Sequence, residues 1–299
     1  MIYTVTLNPA LDYVIQVDNF KAGQINRNKK EDIYYGGKGI NVSCILNELD
    51  IKTTALGFIA GFTGKALEEG LNKLGIDTAF ITVPKGMTRI NVKMKSDEET
   101  EINGMGPTIE EADFEFLLEQ VKTLKKGDTI IISGNVPKCM SSDTYERIIS
   151  CLDKEVNLVV DAEKDLLLKV LKYRPFLIKP NNIELGEMFG REIRSDFDVI
   201  HYAKKLQEQG ARNVLVSMAK DGAILVDENG VVSIQGVAKG EVVNSVGAGD
   251  SMVAGFIAGY IKTNDYAQAL KLGTACGGAT AFHSGLATRE QIEEVLSTL

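Results

Sequence analysis

The sequence predicts an α/β protein with a doubly wound, mostly parallel sheet flanked by helices. Short apolar, β-branched runs such as "TIIIS" (129–133) and "NVLVS" (213–217) alternate with amphipathic runs such as "GKALEEGLNKLG" (64–75). Runs that are apolar on both faces are typical of parallel strands covered by helices. Their alternation with helices indicates βαβ units, whose ligands bind beyond the carboxyl ends of the strands.

The elements of this series follow one another along the whole chain. The predicted strands are "IYTVTL", "TALGFI", "TIIIS", "NLVVDA", "FLIKP" and "NVLVS". The amphipathic segments include "KGINVSCILNELD", "GKALEEGLNKLG", "TIEEADFEFLLEQVKTL" and "SSDTYERIISCLDK". Because no internal repeat or low-complexity linker interrupts the series, we expect residues 1–299 to form one domain.

Two segments, near 12–35 and 88–104, break the alternation. They contain "DYVIQVDNF", "KKEDIYYGG" and "TRINVKMKSDEETEING", which indicate extended antiparallel strands. In the last of these, Arg89, Asn91, Lys93 and Lys95 alternate with apolar residues, so one face of the strand is expected to be open. The segments could form a sheet edge, a dimer surface or a lid. The lid is favoured because both segments flank glycine-rich turns at the same end of the sheet.

Composition and charge exclude several classes of protein. The chain has 33 basic and 41 acidic residues, and its net charge of −8 argues against a nucleic-acid partner. Its apolar stretches are shorter than a membrane span, and the amino terminus does not resemble a secretory signal, so no membrane partner is expected. The four cysteines are scattered and the histidines number two, which disfavours a zinc site and a disulfide framework. Free thiols favour a reducing cytoplasm.

The stretch "VVNSVGAGDSMVAGF" (242–256) contains the strongest local signal for chemistry. Gly247, Ala248 and Gly249 precede Asp250 where a strand-like run meets a buried helix. The first N–H groups of a helix lack intrahelical partners and bind anions, phosphate especially. Asp250 could be a helix cap, or a base that takes a proton while the amides of residues 248–250 stabilise a transferring phosphoryl group. The three small residues before it favour the base.

Other phosphate-binding motifs do not fit the sequence. The P-loop pattern G-x-x-x-x-G-K-[ST] does not occur, because "GFTGKAL" has Ala66 after its GK pair. The first strand is followed by "TLNPALD" rather than by the dinucleotide pattern G-x-G-x-x-G. A P-loop NTPase and a nicotinamide dehydrogenase are therefore disfavoured.

Three motifs resemble the signatures of the PfkB family of ribokinase-like carbohydrate kinases. They are "GGKGINVS" (36–43), "KPNNIE" (179–184) and "NSVGAGDSMVAGF" (244–256), and they stand in the family's order. Many members have Asp-Thr where this chain has Asn244-Ser245, a variant common in the phosphosugar branch of the family. The resemblance implies a ribokinase-like fold with a β-sheet lid. It also implies a phosphotransferase with an alcohol acceptor that uses ATP and Mg²⁺.

"TLNPALD", the lysine of "GGKG" and "NSVGAGDS" resemble the phosphosugar branch, and "TRINVK…ETEING" most resembles the members of that branch that act on fructose 1-phosphate. This implies phosphorylation of D-fructose 1-phosphate to fructose 1,6-bisphosphate. Tagatose 6-phosphate and fructose 6-phosphate are the alternative substrates. A ribose or nucleoside kinase and a non-catalytic sugar-phosphate-binding regulator are further alternatives. Lys38 and the cations of the lid argue against the first, and Asp250 with its glycines argues against the second.

The resemblance also implies roles for individual residues. Asp250 is the expected catalytic base, with Gly247, Ala248 and Gly249 forming the turn that holds the phosphoryl group. The expected phosphosugar ligands are Asp12, Gly36, Gly37, Lys38, Asn41, Arg89, Ser133 and, from a neighbouring subunit of a homodimer, Arg27. The expected ATP ligands are Lys179, Ser217, Lys220, Gly222 and Gly249. The expected Mg²⁺ ligands, acting through water, are Asn181 and Glu184, with Asp161 a weaker candidate.

Ordinary structural roles are the alternatives at several of these positions. Asp12 could be a turn residue, Arg89 an exposed strand arginine, and Ser133 part of a plain turn. A tight hairpin turn would explain Gly222 equally well. For Arg89, a role as a clamp that binds the phosphate of the sugar is favoured, because a guanidinium fork matches phosphate oxygens.

Overall fold

The structure is a computed structural model that describes the backbone of residues 1–299 and every side chain except that of Lys164. The strands are β1 (Ile2–Thr6), β2 (Ala10–Gln16), β3 (Lys30–Gly36), β4 (Thr53–Ile59), β5 (Asp77–Thr78), β6 (Ile81–Thr82), β7 (Arg89–Lys95), β8 (Thr100–Asn103), β9 (Thr129–Ser133), β10 (Asn157–Asp161), β11 (Leu177–Ile178), β12 (Asn213–Ser217), β13 (Ala223–Val226) and β14 (Val232–Gln235). The helices are α1 (Lys38–Glu48), α2 (Gly61–Lys73), α3 (Glu111–Lys122), α4 (Thr144–Ser150), α5 (Lys164–Val170), α6 (Asn182–Phe189), α7 (Asp196–Glu208), α8 (Ala248–Thr263), α9 (Tyr266–Ala281) and α10 (Arg289–Ser297).

The large sheet has ten strands in the order β14-β13-β12-β11-β10-β9-β1-β4-β5, with β6 also paired to β4. The pairs from β12 to β5 are parallel, and only β13 and β14 at one edge are antiparallel. The chain leaves β1 for β4 on one side and later returns to pair β9 on the other side. The strand order therefore reverses at β1, and such a switch point is where ligands of doubly wound sheets bind.

Successive side chains of the central strands enter hydrophobic cores on opposite faces of the large sheet. In β9, Ile130 and Ile132 pack in the core that contains α3, α4 and α7, whereas Ile131 packs in the core that contains α1, α8 and α9. Val159 of β10 packs with Ile131, and its two neighbours pack on the other side. Helices thus cover both faces of the sheet, which explains why these strands are apolar throughout.

The two segments that break the alternation form a separate four-stranded sheet in the order β3-β2-β7-β8. Strand β2 pairs with β7 in parallel and with β3 in antiparallel orientation, and β7 pairs with β8 in antiparallel orientation. Near its base, Leu11 and Ile90 on one face of this sheet pack against Leu67 and Leu71 of α2. The other face carries Asp12 and is turned toward the large sheet.

Helices α8 and α9 have 16 residues each and pack closely against each other in the core. A Cβ atom at Gly255 would lie 2.7 Å from the sulfur of Cys276, so the packing requires a glycine at this crossing. Across the part of the chain that the structure describes, no helix combines the length and the apolar character that a membrane span needs.

Candidate active site

A cleft of about 550 Å³ lies between the small sheet and the carboxyl ends of the large sheet's strands. Asn8 follows β1 and Ser133 ends β9, and both line this cleft. Beside them, Asp161 ends β10 and Lys179 follows β11. Parallel strands end at the same edge of a sheet, and for this reason residues far apart in sequence meet here.

The predicted anion-binding turn begins helix α8 at one wall of the cleft. Gly247 is its N-cap residue, and its φ of 81° lies in the left-handed region that favours glycine. The Ala248 N–H group donates to the carbonyl of Ser245 at 3.2 Å. The Ala248 amide is thus engaged in a turn bond, and the role of Ala248 in holding the phosphoryl group stays a prediction. The N–H groups of Gly249 and Asp250 are those that the helix start offers to an anion.

Asp250 is 6% exposed and stands in the first turn of α8, beyond the N-cap position. Its Oδ2 accepts a hydrogen bond of 2.8 Å from Asn41 Nδ2, which projects from α1. Burial and the charge of Asp161 raise the pKa of Asp250 from 3.8 to about 7. The Asn41 hydrogen bond and the nearby ammonium groups of Lys38 and Lys179 act in the opposite direction. Asp250 is therefore not the helix cap, which is Gly247. It is a buried carboxyl whose pKa of about 7 lies near neutral pH.

Asp161 is an anion shared by two lysines. It is 3% exposed, and its carboxylate lies 3.4 Å from Lys179 Nζ and 3.8 Å from Lys38 Nζ. A Cβ atom at Gly249 would lie 3.2 Å from Lys179 Nζ, so this ammonium rests against the anion-binding turn. Burial lowers the pKa of Lys38, but Asp161, Asp250 and more distant carboxylates raise it overall. Asp161 thus lies close to two ammonium groups, and its role as a weaker Mg²⁺ ligand stays a prediction.

Asn181 and Glu184 form the capping box of helix α6. Asn181 Oδ1 accepts from the Glu184 N–H group and Glu184 Oε2 accepts from the Asn181 N–H group, each at 2.8 Å. Among the side chains that the structure describes, no three of the types His, Cys, Asp and Glu cluster as metal ligands. Mg²⁺ keeps much of its hydration shell and is often held by one or two carboxylates together with substrate phosphates. The second oxygen of Glu184 fits such a water-mediated role.

The cleft face of the small sheet contributes Asp12, Arg89, Asn91 and Lys93. Asp12 Oδ1 accepts from Asn91 Nδ2 at 2.8 Å, and Asp12 Oδ2 lies 3.3 Å from Lys93 Nζ. Arg89 is half-buried, and its Nε donates to the Asn8 carbonyl at 3.1 Å. Burial lowers the pKa of the Arg89 guanidinium, which a nearby Asp12 partly offsets. An anion in the cleft would replace the hydration that this cation has lost.

Two buried polar atoms at this cleft have no hydrogen-bond partner among the described residues. They are Ser133 Oγ and Asn8 Oδ1. Buried polar groups are almost always paired in folded proteins, so each unpaired atom needs an explanation. Both residues line the cleft, and Asn8 Oδ1 is packed against Gly106.

Some of the other predicted site residues line the cleft and others lie outside it. Gly37 and Lys38 line the cleft, whereas Arg27 is exposed in the loop between β2 and β3 and lies outside it within one chain. Ser217 ends β12, and Lys220 is exposed in the turn that follows. This turn spans residues 218–222 with Gly222 at a φ of 89°, so it is longer than the tight hairpin considered as an alternative.

Sequence reasoning missed several residues that the structure brings to the cleft. They are Asn8, Asn91, Glu101, Asn103, Asn135 and Glu163, and Lys93 contacts the cleft residue Asp12. The alternation of Arg89, Asn91 and Lys93 was a usable signal, since residues two apart share one face of a strand. Asn8, Asn135 and Glu163 follow strand ends, where cleft residues of this fold class are expected.

The fold and the site together define a class of protein. A buried carboxyl beside a helix start, at the switch point of a doubly wound sheet and under a second sheet, has the features that phosphoryl transfer requires. The profile of the pfkB family of carbohydrate kinases matches residues 5–292. A 1-phosphofructokinase of Bacillus subtilis (strain 168) is 48% identical over 297 residues, covering 99% of this chain and 97% of that relative. A D-tagatose-1-phosphate kinase of Bacillus licheniformis is 36% identical over 301 residues, covering 100% of this chain and 98% of that relative.

Solved structures agree with this result. Phosphofructokinase-2 from Escherichia coli, in complex with fructose-6-phosphate, is 26% identical, has a TM-score of 0.90 and covers 99% of this chain and 98% of its own. A ribokinase from Arabidopsis thaliana is 18% identical, has a TM-score of 0.78 and covers 99% of this chain and 98% of its own. At this identity the similarity shows the fold alone. The chain belongs to the pfkB family of carbohydrate kinases. The predictions of a ribokinase-like fold with a small separate sheet and of a phosphotransferase are confirmed.

Proposed function

We propose that this protein transfers the γ-phosphoryl group of ATP to the C6 hydroxyl of D-fructose 1-phosphate, giving fructose 1,6-bisphosphate and ADP. The observation that carries the proposal is that one cleft contains the buried Asp250 carboxyl, the helix start beside it and the Arg89 guanidinium. The helix start suits the phosphoryl group in transfer, and the guanidinium suits a phosphate already on the sugar. The similarity to a relative named 1-phosphofructokinase supports this substrate.

Asp250 is the general base that takes the proton of the attacking C6 hydroxyl. A catalytic base works best when its pKa lies near the working pH, and the pKa of about 7 fits this requirement. The Gly247–Gly249 turn and the N–H groups of Gly249 and Asp250 stabilise the charge on the transferring group. The ammonium groups of Lys38 and Lys179, held by Asp161, add positive charge close to Asp250.

The phosphosugar lies between the small sheet and the large sheet. Arg89 clamps its phosphate, with Ser133 supplying a hydroxyl donor and Arg27 reaching the same phosphate from a second subunit. The ring hydroxyls contact Asp12 and Asn41, while Gly36 and Gly37 keep the backbone below them free of side chains. The small sheet formed from residues 12–35 and 88–104 acts as a lid on a single domain that spans residues 1–299.

ATP lies along the carboxyl ends of β11 and β12, in contact with Lys179, Ser217, Lys220 and Gly222. Asn181 and Glu184 hold Mg²⁺ through water. When bound, the ion supplies positive charge that neutralises the nucleotide phosphates. Chelation with EDTA followed by Mg²⁺ titration tests this assignment, and activity that survives chelation would contradict it.

The protein acts as a homodimer in the cytoplasm. The face of the small sheet that is turned away from the cleft exposes large apolar side chains, among them Ile33 and Ile102. A second copy would cover these side chains and bring its Arg27 toward the cleft. The free cysteines are consistent with a reducing compartment. Sedimentation equilibrium tests the dimer, and a monomer at assay concentration would rule it out.

D-Tagatose 1-phosphate is a second candidate substrate, because a relative at 36% identity is named D-tagatose-1-phosphate kinase. It differs from D-fructose 1-phosphate only in the configuration at C4. Tagatose 6-phosphate and fructose 6-phosphate present the C1 hydroxyl for transfer instead. A non-catalytic sugar-phosphate-binding regulator is the alternative of a different class, and release of ADP in a coupled assay would exclude it.

A panel of these four sugar phosphates with ATP tests the proposed substrate. We expect kcat/KM for fructose 1-phosphate to exceed that for either 6-phosphate by at least about tenfold, because a hydrogen-bonded site rejects mismatched hydroxyls. We also expect it to exceed the value for tagatose 1-phosphate. If a 6-phosphate is the best substrate, the substrate assignment is wrong but the kinase assignment stands.

The pKa of Asp250 predicts a pH profile. Because burial and Asp161 raise this pKa to about 7, the base is protonated at lower pH. We therefore expect kcat/KM to rise about tenfold per pH unit below pH 7 and to level off above it. An aspartate with an unshifted pKa would stay ionised from pH 5 to 8 and would itself contribute no change to the profile in this range.

The phosphosugar also titrates in this range, so the assignment needs a control variant. Asp161→Asn removes a charge that raises the pKa of Asp250. In this variant, the rise of kcat/KM (the acid limb of the profile) should occur at lower pH. If the rise reflects ionisation of the substrate phosphate instead, the acid limb should not move. An unmoved limb would show that Asp250 is not the group observed.

A further inference from the structure

Asp12 of β2 has both carboxylate oxygens engaged by the neighbouring strand β7. The register places Asp12 opposite Asn91 and Val14 opposite Lys93. Asn91 Nδ2 donates to Oδ1 at 2.8 Å, and Lys93 Nζ lies 3.3 Å from Oδ2. The Asp12 and Lys93 side chains are 17% and 16% exposed, so this pair is largely shielded from water.

On its other side, the Asp12 carboxylate presses against the backbone of β3. A Cβ atom at Gly36 would lie 2.7 Å from Asp12 Oδ2, closer than such atoms can approach. Gly36 is therefore needed for the carboxylate itself to fit. Contacts from β3 on one side and β7 on the other leave the carboxylate a single orientation.

The two residues that hold Asp12 are themselves anchored by the next strand. Lys93 Nζ also lies 3.9 Å from Glu101 Oε1 of β8. Asn91 Oδ1 accepts from the Gly104 N–H group at 3.2 Å, just after β8 ends. A lysine between two carboxylates is neutralised by them, so Lys93 serves the orientation of Asp12 rather than the phosphate clamp.

A carboxylate with a fixed orientation can distinguish two sugars that differ at one hydroxyl. Each carboxylate oxygen has two lone-pair directions, and one direction on each oxygen of Asp12 is already used. Asp12 lines the cleft, so the remaining directions are those available to a ligand there. Fructose and tagatose phosphates differ only in the direction of the C4 hydroxyl. A freely rotating carboxylate could follow either epimer, whereas a fixed one cannot.

We infer that Asn91 and Lys93 are positioning residues that set the selectivity between C4-epimeric ketohexose phosphates by fixing the carboxylate of Asp12. The inference rests on the proposed function, because it assumes that a ketohexose phosphate occupies the cleft. Neither residue needs to touch the reacting atoms. Their effect is on which epimer the site accepts.

The test compares kcat/KM for D-fructose 1-phosphate and D-tagatose 1-phosphate in Asn91→Leu and Lys93→Met, which keep side-chain size but remove the polar contacts. We expect the ratio between the two substrates to fall at least about fivefold in each variant, within the range for one lost hydrogen bond. Lys93→Arg, which retains a cation, should preserve more of the ratio than Lys93→Met. Lys95→Met is the matched control on the same face of β7, and its ratio should equal that of the wild type.

The outcomes separate this inference from the proposed function. If both substrates lose activity equally in folded variants, as checked by thermal unfolding, the two residues are only structural and the inference is wrong. If the wild type prefers 6-phosphates, the substrate assignment fails, and the same ratio is measured with fructose 6-phosphate and tagatose 6-phosphate, which are also C4 epimers. If the wild type phosphorylates none of the four sugars, both proposals fail.

Discussion

Asp250→Asn should lower kcat by about 10²–10⁴-fold, the range for the loss of a positioned general base. The amide keeps the size of the side chain and can still contact Asn41, but it cannot take a proton from the attacking hydroxyl. The N–H groups of the helix start remain, so nucleotide binding should largely persist. Steady-state turnover and nucleotide binding measured on the same preparation check both parts of this expectation.

Asp265→Asn is a suitable control for this variant. Asp265 is a true helix cap, since its side chain accepts from the N–H groups of Ala267 and Gln268 at the start of α9. Asparagine caps helices as well as aspartate does, so this variant should retain full turnover. Near-native turnover of Asp250→Asn would mean that Asp250 is not the base, and the proposed mechanism would be wrong.

The Asp250→Asn variant should also change the thermal stability of the protein. Burial raises the pKa of Asp250 from 3.8 to about 7, so the folded protein favours the protonated carboxyl. The stability that this group contributes is present at low pH and is lost as the pH rises toward 7. Above pH 7, Asp250→Asn should therefore raise Tm by roughly a few degrees, because it removes a buried charge. A lower Tm at pH 8 would indicate that the ionised carboxylate stabilises the fold.

Arg89→Ala should weaken capture of the phosphosugar by about 10–150-fold, the range for losing a charge-assisted contact of roughly 1.5–3 kcal/mol. Arg89 is half-buried and is anchored by its Nε to the carbonyl of Asn8. A partly desolvated guanidinium with a fixed orientation gains strongly from a phosphate partner. Nucleotide affinity should change little, because ATP is assigned to the ends of β11 and β12. Separate KM values for sugar phosphate and ATP measure the difference.

Two further variants sharpen this test. Arg89→Lys keeps the charge but loses the planar fork, so it should recover only part of the affinity. Arg194→Ala removes an exposed arginine paired with Glu192 and should leave both KM values unchanged. An Arg89→Ala effect of equal size on both substrates, or no effect, would count against a phosphate clamp at this position.

Much of the fold could be predicted because its determinants are local. The parallel strands are apolar on both faces and short, and the pattern of "TIIIS" or "NLVVD" is visible without any neighbour. The small sheet was equally visible, since Arg89, Asn91 and Lys93 alternate with apolar residues. The anion-binding turn was predictable because its glycines, its carboxylate and its helix are contiguous in the chain.

The sequence by itself thus determined the fold class, the family and the position of the turn that begins α8. Only the tertiary structure decided which charges meet, because contacts between strands depend on register and sheet order, which no single segment contains. It placed Asp161 close to both Lys38 and Lys179, which no single segment of the sequence indicates. It also joined Asp12 to Lys93, which stands 81 residues later in the chain, through the pairing of β2 with β7. Periodicity shows which face of a strand is polar, but the partners on that face are set by the folded sheet.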